Sequence, residues 1–141
     1  MIDTNHVPAV VKALLAAELS PATAQWRDLD AAENDSQQRY GYPLVEVEFP
    51  GADLEAQEYG DPGGNIWAEN AAFMVHVHVK RGTGDMTQAR QVMDQVVSIF
   101  AGRTVDGVHF LGALAQHVDD GTGQTRGVSR AIEYRYEFLH R

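Results

Sequence analysis

Phe73-Met74-Val75-His76-Val77-His78-Val79-Lys80, with the segment from Asp85 to Gly102 that follows it, decides the fold. In the first part Phe73, Val75, Val77 and Val79 recur at period two, and Met74, His76, His78 and Lys80 take the alternate positions. That alternation predicts a half-buried β-strand. After Arg81-Gly82-Thr83-Gly84 the period lengthens. Met86, Ala89, Met93, Val96, Val97 and Phe100 step by three or four, an apolar stripe along about four helical turns. Thr83 or Asp85 can cap its first amides, and Gly102 stands where a left-handed residue would close it. A strand with one apolar face and a helix with one apolar stripe make half of a two-layer domain.

Working outward, residues 5–19 read as a helix with Val7, Val10, Val11, Leu14, Ala17 and Leu19 on its apolar side. Asn5 or Thr4 is the expected cap, and Ser20-Pro21 the stop. Trp26 is large enough to anchor residues 22–42, whose polar part from Asp28 to Gln38 reads as a short helix or a mobile segment. Tyr40-Gly41-Tyr42-Pro43 is turn chemistry. Val45, Val47 and Phe49 then alternate with Glu46 and Glu48 as a second strand. Residues 50–66 read as a long acidic connection holding Asp53, Glu55, Glu58, Tyr59 and Asp61, and a connection of that length usually binds something or is disordered. The strands on either side of it are expected to pair as a long hairpin. Toward the C-terminus, Val108–Val118 reads as a strand with mixed faces, in which Gly112 marks a bulge or a close backbone approach. Asp119–Gly123 is a reversal. Ile132, Tyr134, Tyr136 and Phe138 alternate with Glu133, Arg135 and Glu137 in a last strand that should be tied into the sheet, because a free terminus would fray. The expectation is one α+β domain over residues 1–141, with an antiparallel sheet of at least four strands and two main helices packed on one face.

The totals narrow the chemistry. A chain of 141 residues suffices for one core. Its net charge of −9 disfavours nucleic-acid binding and docking on anionic membranes, both of which need clustered cations. With no cysteine, thiolate metal sites and cysteine nucleophiles are excluded. No apolar run approaches the ~18 residues of a membrane span, and the first residues lack a signal-peptide pattern.

Two imidazoles at the spacing of His76 and His78 can share a metal, but the spacing supplies no third ligand. The plainer reading is a polar pair on a solvent or interface face. Asp61-Pro62-Gly63-Gly64-Asn65 lacks the lysine and following helix of a phosphate loop. No serine sits in a nucleophile elbow. The carboxylates show no acid–base couple and read as a solvated acidic surface. Tyr134 and Tyr136 read as core packing, with a subunit contact as the alternative. No catalytic residue, cofactor or metal is assigned.

In element order the chain resembles the tail terminator (tail-completion) proteins of long-tailed bacteriophages and phage-like gene transfer particles. Val7–Leu19, Trp67–Lys80, Asp85–Ala101 and Val128–Arg141 carry the likeness. It implies a structural, non-enzymatic role in the virion, at the head-proximal end of a tail, assembled in the host bacterial cytoplasm. The implied partners are further copies of the chain in a six-membered ring, the tail tube protein and a head–tail connector, with DNA passing through the hole unbound. Asp53, Glu55, Glu58, Tyr59, Asp61, His76 and His78 are the candidate contacts under that resemblance. A head–tail neck protein, or a small α+β ligand-binding module or enzyme, are the alternatives.

Overall fold

The computed structural model describes residues 3–30, 41–56, 65–80, 82, 85–119 and 125–140. Among them the order is α1 (His6–Glu18), β1 (Gln25–Asp28), β2 (Leu44–Glu48), β3 (Ala52–Ala56), β4 (Asn65–Lys80), α2 (Met86–Phe100), β5 (Thr104–Val105), β6 (Val108–Ala113), β7 (His117–Asp119) and β8 (Thr125–His140). The alternating stretch around Val75 is the second half of β4, a strand of 16 residues. It pairs antiparallel with β8 from Asn65↔His140 to Lys80↔Thr125 without a break. Two strands of this length run for about 50 Å at ~3.3 Å per residue, and they form the spine of the sheet. The C-terminal strand is therefore tied in, as its alternation demanded.

Each spine strand carries an interrupted strand along its outer edge. On β4 these are β2, which pairs Leu44↔His78 through Glu48↔Met74, and β3, which pairs Ala52↔Ala71 through Ala56↔Trp67. Residues 49–51 thus oppose only residues 72 and 73, a one-residue bulge that moves the register by one. On β8 they are β6 and β7, with a register shift between Phe110 and Ala113 at the expected position of Gly112. The sheet order is β1-β2-β4-β8-β6-β5, with β3 and β7 off that path.

The α+β class holds, with more strands than the minimum expected, but the sheet is mixed. β1 lies parallel to β2, with Trp26 opposite Val45. Four residues with no clear alternation give no strand signal, so β1 is unforeseen within residues 22–42; most of the polar part from Asp28 to Gln38, residues 31–38, lies outside the described residues. The hairpin across residues 50–66 exists as β2 with β4, yet that segment is not simply a connection, because β3 occupies part of it. Val108–Val118 is two strands rather than one.

The helices follow their patterns with local corrections. Asp85 caps α2, accepting from Gln88 N–H at 2.9 Å. Gly102, at φ 75°, closes it in the left-handed region. The buried stripe is Ala89, Val92, Met93, Val96, Ile99 and Phe100, while Met86 and Val97 are only partly covered. The steps of four from Ala89 to Met93 and from Val96 to Phe100 pass over Val92 and Ile99, which fill the same face. In α1, Leu15 is buried and Ala17 is exposed. Leu15 lies one turn after Val11, in the centre of the arc. Asn5 is the capping residue but makes no side-chain capping bond.

One core joins these elements: Val7, Val11 and Leu15 of α1, the α2 stripe, Val45 and Val47 of β2, Phe73, Val75 and Val77 of β4, and Val108, Phe110, Val128 and Ile132. At its centre, Phe73 meets Phe100 edge-on with ring centroids 5.1 Å apart and lies 6.2 Å from Phe110. Beyond α2, Asp106 and Gly107 take positive φ values of 49° and 81° and turn the chain between β5 and β6. His6 Nε2 donates to the Asp106 carbonyl at 2.8 Å and thereby ties the start of α1 to that turn.

Candidate functional site

The polar face of the sheet is built by alternation. Where Val75 and Val77 point into the core, His76 and His78 must point to the other side. The β2–β4 register sets Glu46 opposite His76 and Glu48 opposite Met74, so the two glutamates and two histidines share that side. Ser129 pairs with His76 from β8, and Arg27 pairs with Glu46 from β1.

These side chains satisfy one another. Arg27 Nε donates to Glu46 Oε2 at 2.6 Å, and its Nη2 forms a closer ion pair with the same oxygen. His78 Nε2 lies 2.5 Å from Glu46 Oε1. His76 holds Glu48 Oε1 through Nε2 and Ser129 Oγ through Nδ1, each at 2.6 Å. With Nε2–H donating to Glu48, Nδ1 is left to accept the Ser129 hydroxyl proton. The two imidazoles lie nearly parallel with centroids 6.5 Å apart.

Glu46 corrects the view of the acidic residues as a solvated surface, since only 7% of it is exposed. Burial acts to raise its pKa, but the hydrogen bonds and charges of His78 and Arg27 outweigh burial and hold it below the ordinary 4.5. A carboxyl whose pKa is depressed by folding contributes stability above its unfolded pKa and loses it as the pH falls through the folded value. Stability should therefore decline below about pH 4.5. Glu46→Gln should lose roughly 1.5 kcal/mol at neutral pH and should flatten that acid-side slope. Urea titrations of both proteins across pH 3–7 check this.

Ser129, His76 and Glu48 stand in the order of a hydrolase relay. However, Ser129 lies mid-strand, paired to His76 on one side and to His117 on the other, and neither of the two described cavities includes any of the three. Among the described residues no group of three His, Asp or Glu side chains is placed to hold a metal.

The predicted contact residues do not form one patch. His76 and His78 join the network above. Asp53 and Glu55 lie on β3, where they pair with Asn70 and Ala68. Asn70 is six residues from His76 along β4, about 20 Å. Glu58, Tyr59 and Asp61 lie outside the described residues.

Sequence reasoning missed Glu69. Extending the period of Phe73 backward through Ala71 places residue 69 on the core side, a signal that was available. Glu69 is 7% exposed, and its Oε1 accepts from the Tyr134 hydroxyl at 2.9 Å. Burial, followed by the Glu69 charge and hydrogen bond, pushes the Tyr134 pKa well above 10. Tyr136 is also raised, by burial and then by Asp3 and Glu69. Tyr134 is core, as read from the sequence, and Tyr136 packs at its margin with His6 stacked 4.5 Å away. Glu69 and Tyr134 line a cavity of about 180 Å³ with Thr4, Pro8, Phe49, Gly51 and Ala72.

A different surface lies at the β6–β7 edge. Leu111, Leu114 and Val118 are about half exposed, at 54%, 49% and 53%. Among the described residues no helix is long and apolar enough to cross a membrane. Compared with known families and with curated proteins, the chain matches no family model and no curated relative.

Proposed function

We propose that the protein is a structural assembly protein that joins copies of itself through its sheet edges, closing a ring of the kind that tail terminators form on the head-proximal end of a phage tail tube. The observation that carries this reading is the apolar patch of Leu111, Leu114 and Val118 beside the β7 edge, next to the point where β5 stops covering β6 at Val108 and His109. β7 pairs only with β8 among the described strands, and Leu111, Leu114 and Val118 lie exposed along this side of the sheet. An exposed, apolar strand edge is a liability in an isolated chain and an asset in an assembly. β1 ends the sheet on its opposite side. Joining one edge to the other is a head-to-tail contact between different patches, which is what a ring requires.

On this reading both helices cover one face of the sheet and the His76–Glu48 network faces outward on the other. A net charge of −9 suits a ring through which DNA passes, because the chain offers few cations to hold phosphates. A neck protein at the same head–tail junction would use the same edges.

Light scattering on the purified chain tests the proposal. The wild type should show a mass several times that of the 15.5 kDa chain, and the double variant Leu111→Glu, Leu114→Glu should fall to the single-chain mass with its fold intact. Equal masses for the two proteins would count against an edge-joined assembly. Covalent labelling of Ser129 by a fluorophosphonate would instead favour the enzyme alternative, through the Ser129–His76–Glu48 relay.

A further inference from the structure

The cavity over Glu69 has the features of a binding site. Its volume of about 180 Å³ corresponds to roughly six waters at ~30 Å³ each, which fits a ligand of five or six heavy atoms. Phe49, Pro8 and Ala72 supply apolar wall, and Glu69 and Tyr134 supply the polar end. Glu69 is only 7% exposed as a residue. The one hydrogen bond described for it, from Tyr134, engages Oε1. With one neutral donor on Oε1, the carboxylate keeps acceptor capacity toward the cavity, and a counter-cation there would offset its desolvation. Asp3 and Glu69 both act on the neighbouring Tyr136. His6 lies nearby, but its Nε2 is committed to the Asp106 carbonyl and its ring to Tyr136.

We infer that this cavity binds a primary ammonium group on a short apolar stem, with the ammonium on Glu69 and the stem against Phe49 and Pro8. The three donors of an ammonium match the free acceptor capacity of the carboxylate, and the stem replaces water along the apolar wall. The same chemistry is offered by a free alkylamine and by a lysine of another copy. Lys80, exposed at the far end of β4, is the lysine suited to the second source, because Lys12 is already paired with Asp28 at 3.2 Å.

The test is a titration with n-butylammonium chloride followed by NMR of the backbone amides, with n-butanol and butyrate as controls. Saturable shifts are expected at Ala72 and Tyr134, with a dissociation constant of order millimolar for so few atoms. Glu69→Gln keeps an acceptor for Tyr134 and should weaken binding at least tenfold. Thr4→Trp, at the exposed rim, should weaken it similarly without touching the carboxylate. If the natural amine is a neighbour's Lys80, butylammonium affinity in the wild type should fall as protein concentration rises, and Lys80→Ala should abolish that dependence. A free amine as the natural ligand gives affinity independent of protein concentration. Shifts that do not saturate, that survive unchanged in Glu69→Gln, or that butanol reproduces equally would overturn the inference.

Discussion

Phe73→Ala is expected to destabilise the protein by about 3–5 kcal/mol, lowering its thermal midpoint by roughly 10 °C or more. Phe73 is fully buried on β4. Its ring meets Phe100 of α2 and Phe110 of β6, and Phe49 lies 5.9 Å away. Truncation would open a cavity where the helix layer meets the spine of the sheet. Rigid strands on two sides leave little room for collapse, which places the cost toward the upper part of the range for such substitutions. Phe73→Leu keeps most of the volume and should cost less than half as much. Urea denaturation of the three proteins gives the comparison, and a loss below 1 kcal/mol for alanine would mean that the core is not centred on this ring.

Gly127→Ala should be almost as damaging, for a backbone reason. Gly127 pairs with His78 in the spine. A Cβ built there would sit 2.1 Å from the Val77 carbonyl oxygen and 3.1 Å from its carbon. Those atoms belong to the partner strand and cannot rotate away as a side chain would. The clash is relieved only by parting β4 from β8 at the end where Glu46, His78 and Ser129 gather. A loss of roughly 3 kcal/mol is expected, with faster amide exchange at Val77 and Val79 than elsewhere in β4. An alanine variant of wild-type stability, with unchanged exchange, would show that the strands do not approach so closely.

The elements carried by strong periods were legible in the chain. The alternation of Phe73–Val79 and of Ile132–Phe138, the stripe of α2 and its Asp85 cap are local signals that tertiary packing reinforces. β1 was not legible, because Gln25-Trp26-Arg27-Asp28 owes its strand to the neighbour it lies beside. β3 was hidden in an acidic segment, where the one-residue bulge at residues 49–51 breaks the period that could have been followed from β2. The polar network was half visible. His76 and His78 drew notice through their spacing, and Glu46 and Glu48 have the same spacing, but the register that brings Glu46 beside His78 is set across the hairpin. Ser129 and Arg27 come from strands far away in sequence. Glu69 was missed because a carboxylate in an acidic chain looks solvated until its alternation with Phe73 is followed back.

To act as proposed, the chain would have to recognise its own copies where a tail tube ends. Electron microscopy of purified tail tubes incubated with the protein addresses that directly. The account predicts a six-fold ring of density seated on a single end of each tube, and its loss when Leu111 and Leu114 are replaced by glutamate. Tubes with bare ends that continue to lengthen in the presence of the wild-type protein would contradict it.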